Sequence, residues 1–118
     1  KNVSVIAEAL GLINIGYLAH SWRNLKAIKT AEISGAQIDL LFDRDDGIIT
    51  ICEIKFNLKP LVITKALAQE FKRKIECFEL AVKPSKSINF ALITLAGAKE
   101  SIWSEGLIDQ VVQLDACL

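Results

Sequence analysis

Residues 35–55 read GAQIDLLFDRDDGIITICEIK, from Gly35 to Lys55, and the fold turns on this stretch. Residues 37–44 read as a strand, Asp45-Asp46-Gly47 as a turn, and residues 48–56 as a second strand rich in β-branched side chains. A three-residue loop ending in glycine is a known hairpin connection, with the glycine in the left-handed position. With that loop Arg44 faces Ile48, Leu40 faces Cys52 and Asp39 faces Glu53; another loop length would shift the pairing. Directly opposed side chains of an antiparallel pair share a face, with Cβ atoms about 4.5–5.5 Å apart. Two carboxylates so placed repel each other. A hard divalent cation, which prefers carboxylate oxygens, would offset that repulsion.

Alternation sharpens the reading. Thr50, Cys52, Ile54 and Phe56 share one face of the second strand, and Ile49, Ile51, Glu53 and Lys55 share the other. The second face starts apolar and turns charged. Charged side chains are seldom buried unless they are paired or used. A Glu-x-Lys taken alone is more often a weak surface ion pair at a strand end; an aspartate registered across from it is the less common feature.

Working outward, residues 3–10 fit a short helix, with Val3, Ile6, Ala7 and Leu10 on one side and Gly11 as its stop. Residues 17–23 read as a strand and residues 24–35 as a loop. Beyond the hairpin, Thr64 caps a long helix to about residue 82, with a stripe of Leu67, Phe71, Ile75, Phe78 and Val82, and Pro84 marks its end. Residues 89–95 form an almost wholly apolar strand, as expected for burial on both faces. Residues 97–106 read as a loop or broken helix, and residues 111–117 as a last strand.

The chain has 118 residues, enough for one domain with its own core. Hydrophobic residues make up 52% and charged residues 24%, which argues against disorder. No apolar run approaches the roughly 20 residues that span a bilayer, and no basic-then-apolar leader opens the chain. Cys52, Cys77 and Cys117 are far apart, form no C-x-x-C pair and have only His20 to assist them. They read as reduced thiols of a cytosolic protein, with Cys52 and Cys77 in the core, rather than as a zinc set. The chain begins at Lys1 and lacks methionine, as expected of a piece of a longer protein or of a sequence from which modified residues have dropped out.

The net charge is zero but unevenly spread. Residues 32–53 carry six acidic groups against Arg44, a local balance of −5. Residues 55–86 carry eight basic groups against three acidic ones, a balance of +5. An acidic cluster beside a basic stretch suits a metal site next to a phosphate track, though such runs are as often solvated faces.

At these residues the chain resembles a known superfamily. Asp39 followed by Glu53-Ile54-Lys55 on the next strand is similar to the PD-(D/E)XK nuclease signature, with Ile38 where the name of that signature puts proline. More closely, Gly35 to Leu41, Cys52 to Phe56, Ile63-Thr64-Lys65, Arg73-Lys74, Leu92-Ile93-Thr94 and Ser21-Trp22-Arg23 resemble the C-terminal domain of a family of archaeal and bacterial P-loop (AAA-type) ATPases. The resemblance implies an α/β fold with a restriction-endonuclease-like core: helix, three-stranded antiparallel meander, helix, strand, in a mixed central sheet. It implies that residues 1–118 are a single nuclease-like domain, the C-terminal part of a longer ATPase chain, since no G-x-x-x-x-G-K-[ST] occurs here.

By that resemblance Asp39, Glu53 and Lys55 are the catalytic residues. Asp39 and Glu53, with the carbonyl of Ile54, would hold Mg²⁺ or Mn²⁺, and Lys55 would position a water or stabilise the transition state. DNA is then the expected partner, beside the upstream ATPase domain, in the cytoplasm and with no membrane. Gln37 and Glu8 are outer candidates, Lys65, Lys72 and Arg73 candidate phosphate contacts, and Trp22 and Trp103 candidate stacking groups. By residue type alone these are solvated or packing residues, and His20 has no evident partner. An intact Asp-Glu-Lys set favours a metal-dependent DNA nuclease. Zero net charge favours the alternative, a non-catalytic DNA- or protein-binding module of the ATPase, and a hydrolase for another phosphodiester is the third reading.

Overall fold

A computed structural model describes residues 3–24 and 35–114. The elements run α1 (Val3–Ala9), β1 (Tyr17–Asn24), β2 (Ala36–Arg44), β3 (Ile48–Lys55), β4 (Leu61–Val62), α2 (Lys65–Val82), β5 (Ser87–Thr94), β6 (Ala98–Lys99) and β7 (Gln110–Gln113). The main sheet has the order β1-β2-β3-β5-β7, and β4 and β6 form a second, two-stranded sheet. β1, β2 and β3 make an antiparallel meander. β5 is parallel to β3, and β7 is parallel to β5. Parallel neighbours need a crossover connection, which α2 supplies between β3 and β5.

The sheet separates two apolar clusters. Ile38, Leu41, Ile49, Ile51, Phe90 and Leu92 pack with Phe71 and Phe78 of α2. Leu40, Phe42, Cys52, Ala91 and Ile93 pack on the opposite face with Ile6, Ala7 and Leu10 of the α1 region. Phe42, Phe71, Leu92 and Ile93 are completely buried, and each such side chain contributes about 1.5–3 kcal/mol. β5 is buried from Phe90 through Thr94, as its unbroken apolar run requires of a central strand covered on both faces.

Local chemistry sets the ends of the elements. The hydroxyl of Thr64 accepts a hydrogen bond from the N–H of Leu67 and caps α2. Helix α2 closes at Lys83, whose φ of 50° is left-handed, with its N–H donating to Glu79 O. Gly11, at φ 80°, stops α1.

The structure adds β4 to the sequence reading, runs β5 over Ser87–Thr94 rather than residues 89–95, and differs further as follows. β3 ends at Lys55, and Phe56 stands 79% exposed beyond it. The segment 97–106 contains the short strand β6, followed by turns in which Ser101 Oγ donates to Ile63 O and Ser104 Oγ to Ser101 O. Asn24 belongs to β1, and the rest of the expected loop, residues 25–34, lies outside the described residues, as does Glu32. The last strand is Gln110–Gln113; residues 115–118, Cys117 among them, also lie outside. Cys52 and Cys77 are free and buried. Among the described residues no helix is long and apolar enough to cross a membrane.

Candidate active site

The β2–β3 hairpin closes as its turn chemistry dictates, with Gly47 at φ 87°. Its register runs Asp43↔Ile49, Phe42↔Thr50, Leu41↔Ile51 and Leu40↔Cys52. Two acidic residues near the turn, Asp43 and Asp46, find basic partners there. Lys86 Nζ donates to Asp43 Oδ1 at 2.6 Å, and the Arg44 guanidinium donates to Asp46. The hydrogen bond from Arg44 holds the exposed Asp46 carboxyl below its ordinary pKa. The acidic run seen in the sequence therefore divides. Asp43 and Asp46 are paired at the turn end, and Asp39 and Glu53 lie at the other end of the hairpin.

The ladder stops at Leu40↔Cys52, so the expected Asp39↔Glu53 pair is not part of it, and the two residues each stand one position beyond the last pair, where β2 and β3 part. On its other edge β2 pairs with β1 as His20↔Leu41 and then Trp22↔Ile38, so three steps along β2 match two along β1. This is a bulge at Asp39-Leu40. It explains why Ile38 and Leu41 pack in the α2-side cluster while Leu40 and Phe42 pack in the other, a pattern strict alternation forbids. Bulges re-aim side chains and are over-represented beside active sites. Asp39 is exposed, and its Oδ1 accepts a hydrogen bond of 2.8 Å from Gln37 Nε2.

Glu53 and Lys55 continue the face of β3 that carries Ile49 and Ile51, toward α2. Glu53 is largely covered, its side chain 14% exposed. Lys74 Nζ of α2 donates to Glu53 Oε1 at 2.9 Å, and Lys55 Nζ lies 3.4 Å from Glu53 Oε2. The sequence reading missed Lys74 as a partner of Glu53. It lies three residues after Phe71 and four before Phe78, on the sheet-facing stripe of α2, and a lysine on such a stripe needs an acidic partner.

The outer candidates fall to either side. Gln37 touches Asp39, as above. Glu8 is exposed on α1. Arg73 donates to the carbonyl of Gly35 at 2.7 Å, tying α2 to the start of β2. Lys72 is exposed, and Lys65 Nζ sits 5.4 Å from the centroid of the Trp103 ring. Trp22 packs edge-on against Phe78, with centroids 5.2 Å apart, and is a packing residue. His20 is exposed, its Nδ1 3.4 Å from Ser21 O. A surface cleft of about 320 Å³ lies elsewhere, lined by Lys72, Glu76, Glu79, Ile88 and Asp109 among others, and none of Asp39, Glu53, Lys55 or Lys74 lines it.

Comparison with known proteins places this architecture. No family model matches the chain, and no curated protein matches it. Among solved structures the chain is similar to a repair endonuclease from Pyrococcus abyssi, with a TM-score of 0.53 and 14% identity over 97% of this chain and 45% of that one. The fold is restriction-endonuclease-like. The chain is also similar to a protein of unknown function, AF1548, with a TM-score of 0.55 and 15% identity over 82% of this chain and 47% of that one. It thus spans less than half the length of the solved structures it matches.

On this restriction-endonuclease-like frame, Asp39 and Glu53 offer oxygen donors only. Among the described residues no group of three or more His, Cys, Asp or Glu forms a metal cage. Carboxylates without sulfur or imidazole are the donor chemistry of hard divalent cations, which complete their shells with water and phosphate. Lys55, with a side chain 34% exposed, sets its ammonium beside Glu53.

Proposed function

We propose that this domain is a metal-dependent DNA nuclease that hydrolyses phosphodiester bonds, appended to a P-loop ATPase in the cytoplasm. The observation that carries the reading is positional: Asp39 and Glu53 each stand one residue beyond the last pair of the β2–β3 ladder. There Asp39 and the Glu53-x-Lys55 pair flank the point where β2 and β3 separate. The repair-endonuclease activity named for one structural neighbour supports DNA as the substrate, and the resemblance of residues 35–56 supports the ATPase attachment. A divalent ion held by Asp39, Glu53 and the carbonyl of Ile54 would supply Lewis acidity and an acidified water.

The chain's own residues do the rest. Gln37 holds one Asp39 oxygen and fixes the carboxylate. Glu53 anchors the Lys55 ammonium, a compact point charge that stabilises negative charge growing on a phosphate oxygen.

One observation favours the second reading, a DNA- or protein-binding module that keeps the fold. Both Glu53 oxygens already face lysines, which closes the carboxylate as a structural ion cluster. Nicking of supercoiled plasmid separates the two. With Mg²⁺, the native domain is expected to nick, and Lys55→Ala and chelator-treated protein are expected to lose at least about a hundredfold in rate. Nicking equal in native protein and in Lys55→Ala, or none with the native domain, would leave the binding module.

A further inference from the structure

We propose that Lys74 is the resident counter-cation of Glu53, which a divalent ion must displace, so that Lys74 sets the metal affinity of the site. This inference rests on the metal site proposed above. Phe71 and Phe78 are buried against the sheet and lock α2 in place. Their helical spacing delivers Lys74 to the same side, where its side chain is 17% exposed and its Nζ meets Glu53 Oε1 at 2.9 Å. Lys55 stands at the other oxygen at 3.4 Å, an ion-pair distance beyond good hydrogen-bond length. Lys74 therefore makes the directional contact with Glu53, and Lys55 the looser one.

A lone, largely covered carboxylate is costly, and Lys74 removes that cost when no metal is present. A divalent ion seeking Glu53 meets an oxygen already engaged and an ammonium of like charge beside it. The ammonium sits on a four-carbon stem and can swing away, so the site stays loadable at a reduced affinity. Lys74 acts through Glu53 and is a positioning residue; Lys55 keeps the role at the phosphate.

The test is calorimetric titration of Mn²⁺ into the native domain, Lys74→Met and Lys74→Arg, alongside thermal unfolding in chelator of Lys74→Met, Glu53→Gln and the double variant. Lys74→Met is expected to bind Mn²⁺ roughly tenfold or more tightly. Lys74→Arg is expected to keep an affinity close to native. In chelator the two single losses are expected to be non-additive, as for partners in contact. If Lys74→Met does not fold, Lys74→Gln replaces it with the same expectation. Native binding with unchanged or weaker binding in the neutral variant overturns the role of Lys74 and leaves the metal site standing. Binding by neither protein overturns the metal site and this inference together.

Discussion

Asn57→Ala is a sharp test of how the site is held, because Asn57 joins the segment after Lys55 to the end of β5. Its amide Nδ2 donates to Lys59 O at 2.8 Å and to Gly97 O at 2.9 Å. Its Oδ1 accepts from Leu95 N at 3.1 Å and, more weakly, from Ala96 N at 3.4 Å. Truncation does not cost four equal bonds. Gly97 O keeps the N–H of Leu61 as a donor at 3.0 Å, and Lys59 is exposed enough for water to replace the lost donor. Leu95 N–H, in partly buried surroundings, loses its partner, at a cost of about 1–3 kcal/mol. The lost Gly97 bond adds about 1 kcal/mol, for a total of about 2–4 kcal/mol. At about 4–8 °C per kcal/mol for a small domain, Tm should fall by roughly 8–30 °C. Asn57→Asp keeps the acceptor but sets a carboxylate against two carbonyls, so it should rescue little. Differential scanning calorimetry decides the matter. A Tm within about 3 °C of native for Asn57→Ala would refute the clamp, since that shift corresponds to less than one hydrogen bond.

Other outcomes follow from the same structure. Burial pushes the Cys52 thiol up to about 12 from an ordinary 9.0. The folded state thus holds the proton more tightly than the unfolded chain, so this contribution to stability is complete below about pH 9 and is lost as pH rises toward 12. Urea midpoints should fall over that range, and Cys52→Ala, whatever its stability at pH 7, should fall less steeply. Lys83→Gly should raise stability by about 0.5–1 kcal/mol, because glycine adopts the left-handed helix cap without the Cβ clash; an unchanged or lower urea midpoint would contradict this. Glu53→Gln in chelator should destabilise the fold by about 1–3 kcal/mol, since Lys74 and Lys55 then face each other without their shared anion; a stabilised variant would show that the carboxylate is strained rather than paired.

Much of this was legible from residue pattern alone. Gly47 fixed the hairpin loop, and that loop fixed the register through Leu40↔Cys52. Thr64 and the stripe through Phe71 and Phe78 located α2, because a cap and a 3.6-residue period are local signals. The bulge at Asp39-Leu40 was not legible, because Ile38-Asp39-Leu40-Leu41 is compatible with alternation in either phase and only the pairing with β1 reveals the extra residue. β4 and β6 are two residues each, too short to show a period, and their pairing joins segments far apart in sequence. Asn57 looked like a connector residue for the same reason, as its partners Leu95 and Gly97 lie about 40 residues away. Lys74 was the recoverable omission. Its place between Phe71 and Phe78 marked it as facing the sheet, and Glu53 was the acidic group already singled out there.

The most direct test of the site is Mg²⁺ and Mn²⁺ titration of the native domain and of Asp39→Ala by calorimetry. Asp39 is exposed and packs in neither core cluster, so its removal should leave the fold intact. Asp39 and Glu53 acting together predict measurable binding by the native domain and its loss in Asp39→Ala. Binding that is the same in both proteins, or absent from the native domain, would contradict a metal site at the open end of the hairpin.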